Sequence, residues 1–384
     1  MTVANSLNEI IYADNAATTK IDDDALDLMF DLQKNFFANP SSPYKLSREL
    51  KKILQDSREK IANCINAEPN EIFFTSGGTE SNNWAIKSVL LPKLNFHPNI
   101  ITSAIEHSSI LNSCATMKKF GCSVTILPVD NFGTVNFDDL PEKILPQTKI
   151  ISVMLANNEI GTIQPIKSLT EVTHAFKKIF HADAVQAVGH IPIDVKNLGV
   201  DMLSASAHKF NGPKGIGFLY IRKGVKLLPY FDGGKQEFSK RAGTENLPAI
   251  AAMAFVLEKN CREMDKTTEE VSICSQILLE CLRDNNIDFI INGGENRLPG
   301  HLSLSFKGCS GETLMHRLDL KKIYVSTGSA CDSQQTKISH VLQALNIPED
   351  YIGGTIRITF GRENSRREAE IVGNQLTTII NEEL

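Results

Sequence analysis

The chain has 384 residues, 42% of them hydrophobic and 22% charged, with a net charge of −5. That length and apolar content predict a globular chain with one large domain and a smaller one, and the interspersed acids and bases leave no electrostatic footprint for nucleic acid. Eight cysteines without a Cys-x-x-Cys pair exclude a recognisable zinc or iron–sulfur ligand set and a disulfide framework, so a reducing cytoplasm is expected. No apolar run approaches a membrane span, and residues 1–11 lack the basic leader and apolar core of a signal peptide.

Taken in order, residues 10–12 form a short apolar entry and 14–19 a polar turn. Residues 22–35 carry acids in the first turn and apolar residues at helical spacing, which predicts a helix. The Asn-Pro-Ser-Ser-Pro run at 39–43 ends it, and a longer amphipathic helix follows over 47–65. From residue 71 short apolar runs alternate with helical segments. Strands are predicted over 72–75, 99–103, 124–129, 149–154, 179–182, 202–205 and 217–221, with helices over 80–90 and 108–120. This alternation predicts an α/β fold around a mostly parallel sheet covered on both faces. A long helical stretch runs from about residue 251 to 284, a mixed α and β pattern continues beyond it, and a boundary is placed near Lys259.

In open α/β sheets ligands bind at the carboxyl ends of the strands, where the polar residues of interest fall. Lys209 follows a buried strand and precedes glycines and a proline. Burial lowers a lysine pKa, which suits Schiff-base chemistry with a carbonyl compound, although a lone lysine more often snorkels to solvent. The run Ser76-Gly77-Gly78-Thr79 closes one strand and opens a helix, and free amides at a helix start favour an anion. A plain helix cap explains Thr79 almost as well. His107 follows the next strand, where a histidine is more often hydrogen-bonded and structural. Asp183 ends another strand, able to cap a helix or to pair with a protonated ring nitrogen. Cys331 lies among small polar residues, in a stretch 326–337 with the composition of a mobile loop. A thiol there would be accessible, either as a nucleophile or as an incidental surface cysteine.

Together these residues identify a family. The chain resembles the NifS/IscS-type cysteine desulfurases, in the class V aminotransferase group of fold-type I pyridoxal-phosphate enzymes. The likeness runs from Tyr-Ala-Asp-Asn-Ala-Ala-Thr-Thr at 12–19 to Thr-Ile-Arg-Ile-Thr-Phe-Gly-Arg at 355–362. Between them lie Asn-Asn-Glu-Ile-Gly at 157–161, Asp-Ala-Val-Gln at 183–186, His-Lys at 208–209, Arg-Ala-Gly-Thr-Glu-Asn at 241–246 and Gly-Ser-Ala-Cys at 328–331.

The resemblance implies a large domain over 14–259 that binds pyridoxal 5′-phosphate, and a smaller α+β domain from 1–13 and 260–384. It implies that Lys209 holds the cofactor, that Gly78, Thr79, Ser206 and His208 cradle its phosphate, and that His107 stacks on its ring. Asp183 would pair with the ring nitrogen, with Gln186 and Asn158 near the ring hydroxyl or the substrate. Thr244 would reach the phosphate of a second subunit, which implies a homodimer. Arg357 would hold the carboxylate of L-cysteine in a bidentate fork. Cys331 would accept sulfur as a persulfide, leaving alanine, and pass it to an acceptor such as an iron–sulfur scaffold or a thiolation enzyme. Two positions depart from the family pattern: Ala207 stands in place of glycine, and Asp332 places a negative charge beside the nucleophile.

Overall fold

The structure, a computed structural model, describes residues 10–328 and 338–383. Cys331, Asp332 and most of the expected loop therefore lie outside the described residues.

A short strand β1 (Ile11–Tyr12) leads into two helices, α1 (Asp23–Asn35) and α2 (Lys45–Cys64). Asp22 starts α1 by accepting the Ala25 amide on its side chain, and Asp23 and Asp24 favour the positive helix start. The strand–helix alternation then follows as β2 (Ile72–Thr75), α3 (Gly78–Leu90), β3 (Asn99–Ser103), α4 (Ser108–Lys119), β4 (Ser123–Leu127), β5 (Thr148–Met154), β6 (Ile179–Asp183), β7 (Met202–Ser206) and β8 (Gly217–Ile221). Their apolar runs are almost continuous because both faces of the sheet are buried, and β2, β3, β7 and β8 expose no residue to solvent.

The seven strands form one sheet in the order β2-β8-β7-β6-β5-β3-β4. Neighbours from β4 to β7 are parallel, whereas β8 runs antiparallel to both β7 and β2. The sheet is thus mostly parallel, as expected, with one reversed strand. The Ser206–Gly217 segment is too short for a crossover helix and returns the chain directly as an antiparallel neighbour. The carboxyl ends of β3, β5, β6 and β7 consequently share one edge of the sheet.

A helix of 38 residues, Leu247–Asp284, links the two hydrophobic cores. Its residues up to Leu257 pack with the large sheet, and those from Val271 onward pack in a second core. It begins four residues before the expected start, because Asn246 caps it by accepting the Ala249 amide and Pro248 fits its first turn. The second core is built on the antiparallel strands β9 (Phe289–Ile291), β10 (His301–Phe306) and β12 (Thr355–Thr359), ordered β12-β10-β9. The strand β11 (Ile323–Tyr324) pairs with β1, which draws Ile11 and Ala13 into this core. Among the described residues no helix is long and apolar enough to cross a membrane.

Candidate active site

The carboxyl ends of the parallel strands open into a cavity of about 430 Å³. Ten residues expected at a site line it: Gly78, Thr79, His107, Asn158, Asp183, Gln186, Ser206, His208, Lys209 and Arg357. Thr244 does not line it. It is exposed, on a segment tied to the start of α3 by the Arg241–Glu80 ion pair at 2.9 Å. Cys331 lies outside the described residues.

Lys209 ends the single 3₁₀ turn that follows β7. Its ammonium donates to the carbonyls of Ala16 (2.6 Å) and Ala17 (2.8 Å), so the polar turn after β1 supplies its acceptors. The same turn is sewn to the lysine's neighbour, since the Thr19 amide and hydroxyl both donate to the His208 carbonyl. Gln186 donates to the Ala16 carbonyl from the other side (2.9 Å). Burial, reinforced by the Lys209 charge, lowers the His208 pKa to about 4, so this imidazole is neutral at pH 7 and rests on the Thr18 hydroxyl.

Also lining the cavity, α3 starts on Gly77 without a side-chain cap, leaving first-turn amides with no intrahelical acceptor. A Cβ on Gly78 would lie 2.5 Å from Val185 Cγ2, so glycine lets this helix start sit close to the turn after β6. The helix begins two residues earlier than its apolar pattern suggested, which is how Gly78 and Thr79 come to face the cavity as its first turn.

Asp183 ends β6 and also lines the cavity. Each carboxylate oxygen accepts one bond from the protein, from Asn82 Nδ2 (2.6 Å) and the Val185 amide (3.1 Å), leaving lone pairs for a cationic donor. His107 caps α4, and its Nδ1 accepts the Ser109 amide at 3.1 Å, which places the proton of a neutral ring on Nε2.

Arg357, on β12, reaches in from the second core. It is 2% exposed, donating from Nη2 to Asp14 (2.6 Å) and from Nη1 to the Asn158 carbonyl (2.9 Å). Its Nε has no partner and is shielded from solvent. Such a buried donor costs free energy until an acceptor arrives. Asp14 and Asn82 are contacts that reading the residues one by one missed. Asp14 sits within the 12–19 run, but nothing local marks its pairing with a residue 343 positions away.

Glu106 was also missed. It is wholly buried behind His107, with Oε1 accepting the Ser103 hydroxyl (2.6 Å) and the Met154 amide (2.9 Å) while Oε2 has no partner. Burial, with the Asp183 charge adding to it, raises its pKa to about 8, so this acid is mostly neutral at pH 7.

Residues 11–372 match the family described as aminotransferase class-V. The cysteine desulfurase IscS of Dictyoglomus turgidum is 44% identical over 371 residues, 96% of this chain and 94% of its own. The chain belongs to the class-V aminotransferase family, in its NifS/IscS-type cysteine desulfurase branch. A solved NifS-like protein superposes with a TM-score of 0.91 at 35% identity, over 97% of this chain and 99% of that one. A second structure, SspA in complex with cysteine, gives 0.82 at 33% identity, over 92% and 99%. The family's cofactor is pyridoxal 5′-phosphate. The cavity fits it: an uncapped helix start for an anion, a carboxylate with free lone pairs for a ring nitrogen, and a lysine amine for an aldehyde.

Proposed function

We infer that this protein is a pyridoxal-phosphate-dependent cysteine desulfurase, converting L-cysteine to L-alanine and carrying the sulfur away as a persulfide on Cys331. The observation that carries the reading is the convergence of Lys209, Asp183 and Arg357 on one cavity, an amine, a carboxylate and a guanidinium from three separate strands or strand ends. When bound, the cofactor offers an aldehyde for the substrate amine and a cationic ring that withdraws electrons from the substrate's Cα.

The chain's own residues do the rest. The first turn of α3, with Ser206 and His208, would hold the phosphate, His107 would cover the ring, and Asp183 would keep a proton at the ring nitrogen. Gln186 and Asn158 would lie near the ring hydroxyl or the substrate. Arg357 takes the L-cysteine carboxylate, Nε gaining the acceptor it lacks. Lys209, its amine poised on the Ala16 and Ala17 carbonyls, moves the Cα proton. The Cys331 thiolate attacks the substrate sulfur. An S–S bond forms as the Sγ–Cβ bond breaks, its electron pair goes to Cβ, and protonation there leaves L-alanine. Asp332 beside it opposes the thiolate.

A homodimer belongs to the same reading, since Thr244 is exposed and does not line its own chain's cavity. So do the division into units at 14–259 and at 1–13 with 260–384, a cytoplasmic setting, and delivery of sulfur to an acceptor protein for iron–sulfur assembly or thiolation. Incubation with L-cysteine, following alanine and sulfide, tests the activity. Alanine formation is expected to vanish in both Lys209→Ala and Cys331→Ala, and the visible absorbance of bound cofactor to change only in the former. Parent-rate desulfuration by Cys331→Ala would overturn the persulfide step.

A further inference from the structure

One turn beside the cavity holds both stems of the segment that carries Cys331. Asn157 locks this turn after β5, its side-chain oxygen accepting the Glu159 (2.8 Å) and Ile160 (3.0 Å) amides and its Nδ2 donating to the Ile105 carbonyl (2.9 Å). The next residue, Asn158, offers the carbonyl that holds Arg357. Glu159 follows, buried at 2% exposure although it is an acid, and its own carbonyl accepts His301 Nε2 at 3.1 Å.

The Glu159 carboxylate meets the two stems. On the outgoing side Ser326 pairs with Arg357 through two backbone bonds (3.1 and 2.6 Å) and donates its hydroxyl to the Gly328 carbonyl. Gly328 then stands against the carboxylate, where a Cβ would lie 3.4 Å from Glu159 Oε2. On the returning side the Ser339 hydroxyl donates to Glu159 Oε2 at 2.5 Å while accepting the Val341 amide, capping the helix His340–Ala344. His340 bonds to the Glu106 carbonyl, and Val341, Leu342 and Leu345 pack on Ile105, Met154 and Ile160. One stem is thus stapled to the strand of the substrate arginine and the other to the turn that grips that arginine, with one carboxylate between them.

We propose that Glu159 is a positioning residue for sulfur transfer: it acts through Ser339 and Gly328 to set where the Cys331 segment leaves and rejoins the fold relative to Arg357. Glu159 does not line the cavity. A buried carboxylate that accepts a hydroxyl is worth more than a surface pair, and its removal leaves the half-buried Ser339 hydroxyl without that acceptor. Small displacements of a reacting group carry large rate penalties. The inference rests on Cys331 being the sulfur-accepting nucleophile.

The test separates the two halves of a single turnover in the holoenzyme. For Glu159→Ala, persulfide formation on Cys331 is expected to slow by roughly tenfold to a hundredfold. The optical change as L-cysteine enters, and the half-saturating L-cysteine concentration, keep their parent values, because Lys209, Asp183 and Arg357 are untouched. Glu159→Gln, which keeps an acceptor oxygen, recovers most of the rate, and Ser339→Ala reproduces the split more weakly, guarding against a variant that fails to fold. Iodoacetamide labelling of Cys331 in the resting protein, with no substrate present, shifts from the parent rate in Glu159→Ala and Ser339→Ala alike. Parent-rate persulfide formation in both alanine variants overturns the proposal, as does equal loss of substrate entry and persulfide formation. Alanine production that survives in Cys331→Ala instead overturns the nucleophile assignment beneath it.

Discussion

Among the described residues two arginines lie buried against carboxylates, and the difference between them separates structure from site. Arg58, on α2, is 4% exposed and meets Glu237 with both Nη atoms (2.9 and 2.7 Å), while Nη1 also reaches the Ile72 carbonyl. Glu237 accepts the Phe74 amide as well, and the Phe74 ring covers the guanidinium at 4.4 Å. This fork is closed by protein. Arg357 is equally buried but shares its Nη atoms between Asp14 and a carbonyl, keeps Nε unpartnered, and borders the cavity. A bidentate pair ties α2 to the distant segment at Glu237; an incomplete one waits for an acceptor. Burial alone does not distinguish them, whereas the count of unsatisfied donors does.

Three variants would break or sharpen that contrast. The largest effect is expected from Arg58→Ala, which strands the Glu237 carboxylate and should cost about 3–5 kcal/mol in denaturant unfolding. The folded fraction should keep its half-saturating L-cysteine concentration; a variant of parent stability would show that the closed fork carries no structural load. Arg357→Lys should instead fold normally and lose kcat/KM for L-cysteine by about 2–3 kcal/mol, or roughly 30- to 150-fold, because an ammonium cannot supply the fork. Unchanged kcat/KM would return Arg357 to the structural class.

The third variant is read as a pH slope and concerns Glu106, another half-satisfied buried group, next to His107 in the chain. Its folded pKa of about 8 exceeds the ordinary carboxylate value, so the native state holds a proton that the unfolded state releases. Native stability therefore falls as pH rises from about 4.5 to about 8 and then levels. Glu106→Gln mimics the neutral acid, so its thermal midpoint should fall less across that window than the parent's. An identical slope in both proteins would mean that Glu106 is ionised when folded.

Much of this was readable from the residues. β2, β3 and β8 begin and end where their apolar runs do, because each run is bounded by polar or glycine residues and buried on both faces. The Lys209, Asp183 and His107 positions were legible because a reactive side chain at a strand end leaves a local mark. Direction was not: nothing in the apolar run over 217–221 says that β8 runs antiparallel, which depends on the short return from β7. Helix starts were blurred at Gly78 and Leu247, where capping and not apolar periodicity sets the boundary. The Asp14–Arg357 pair, the neutral Glu106 and the Glu159 clasp escaped because each depends on contacts between segments far apart in the chain. Only the folded packing reveals which buried acid has a partner and which does not.

The most direct test of the account is to supply L-cysteine to the holoenzyme without an acceptor and to map the added sulfur by mass spectrometry. One extra sulfur atom confined to the peptide containing Cys331, matched by one alanine per active site, is the predicted result. Alanine formed in equal amount with Cys331 unmodified, or with the sulfur on another cysteine, would contradict it.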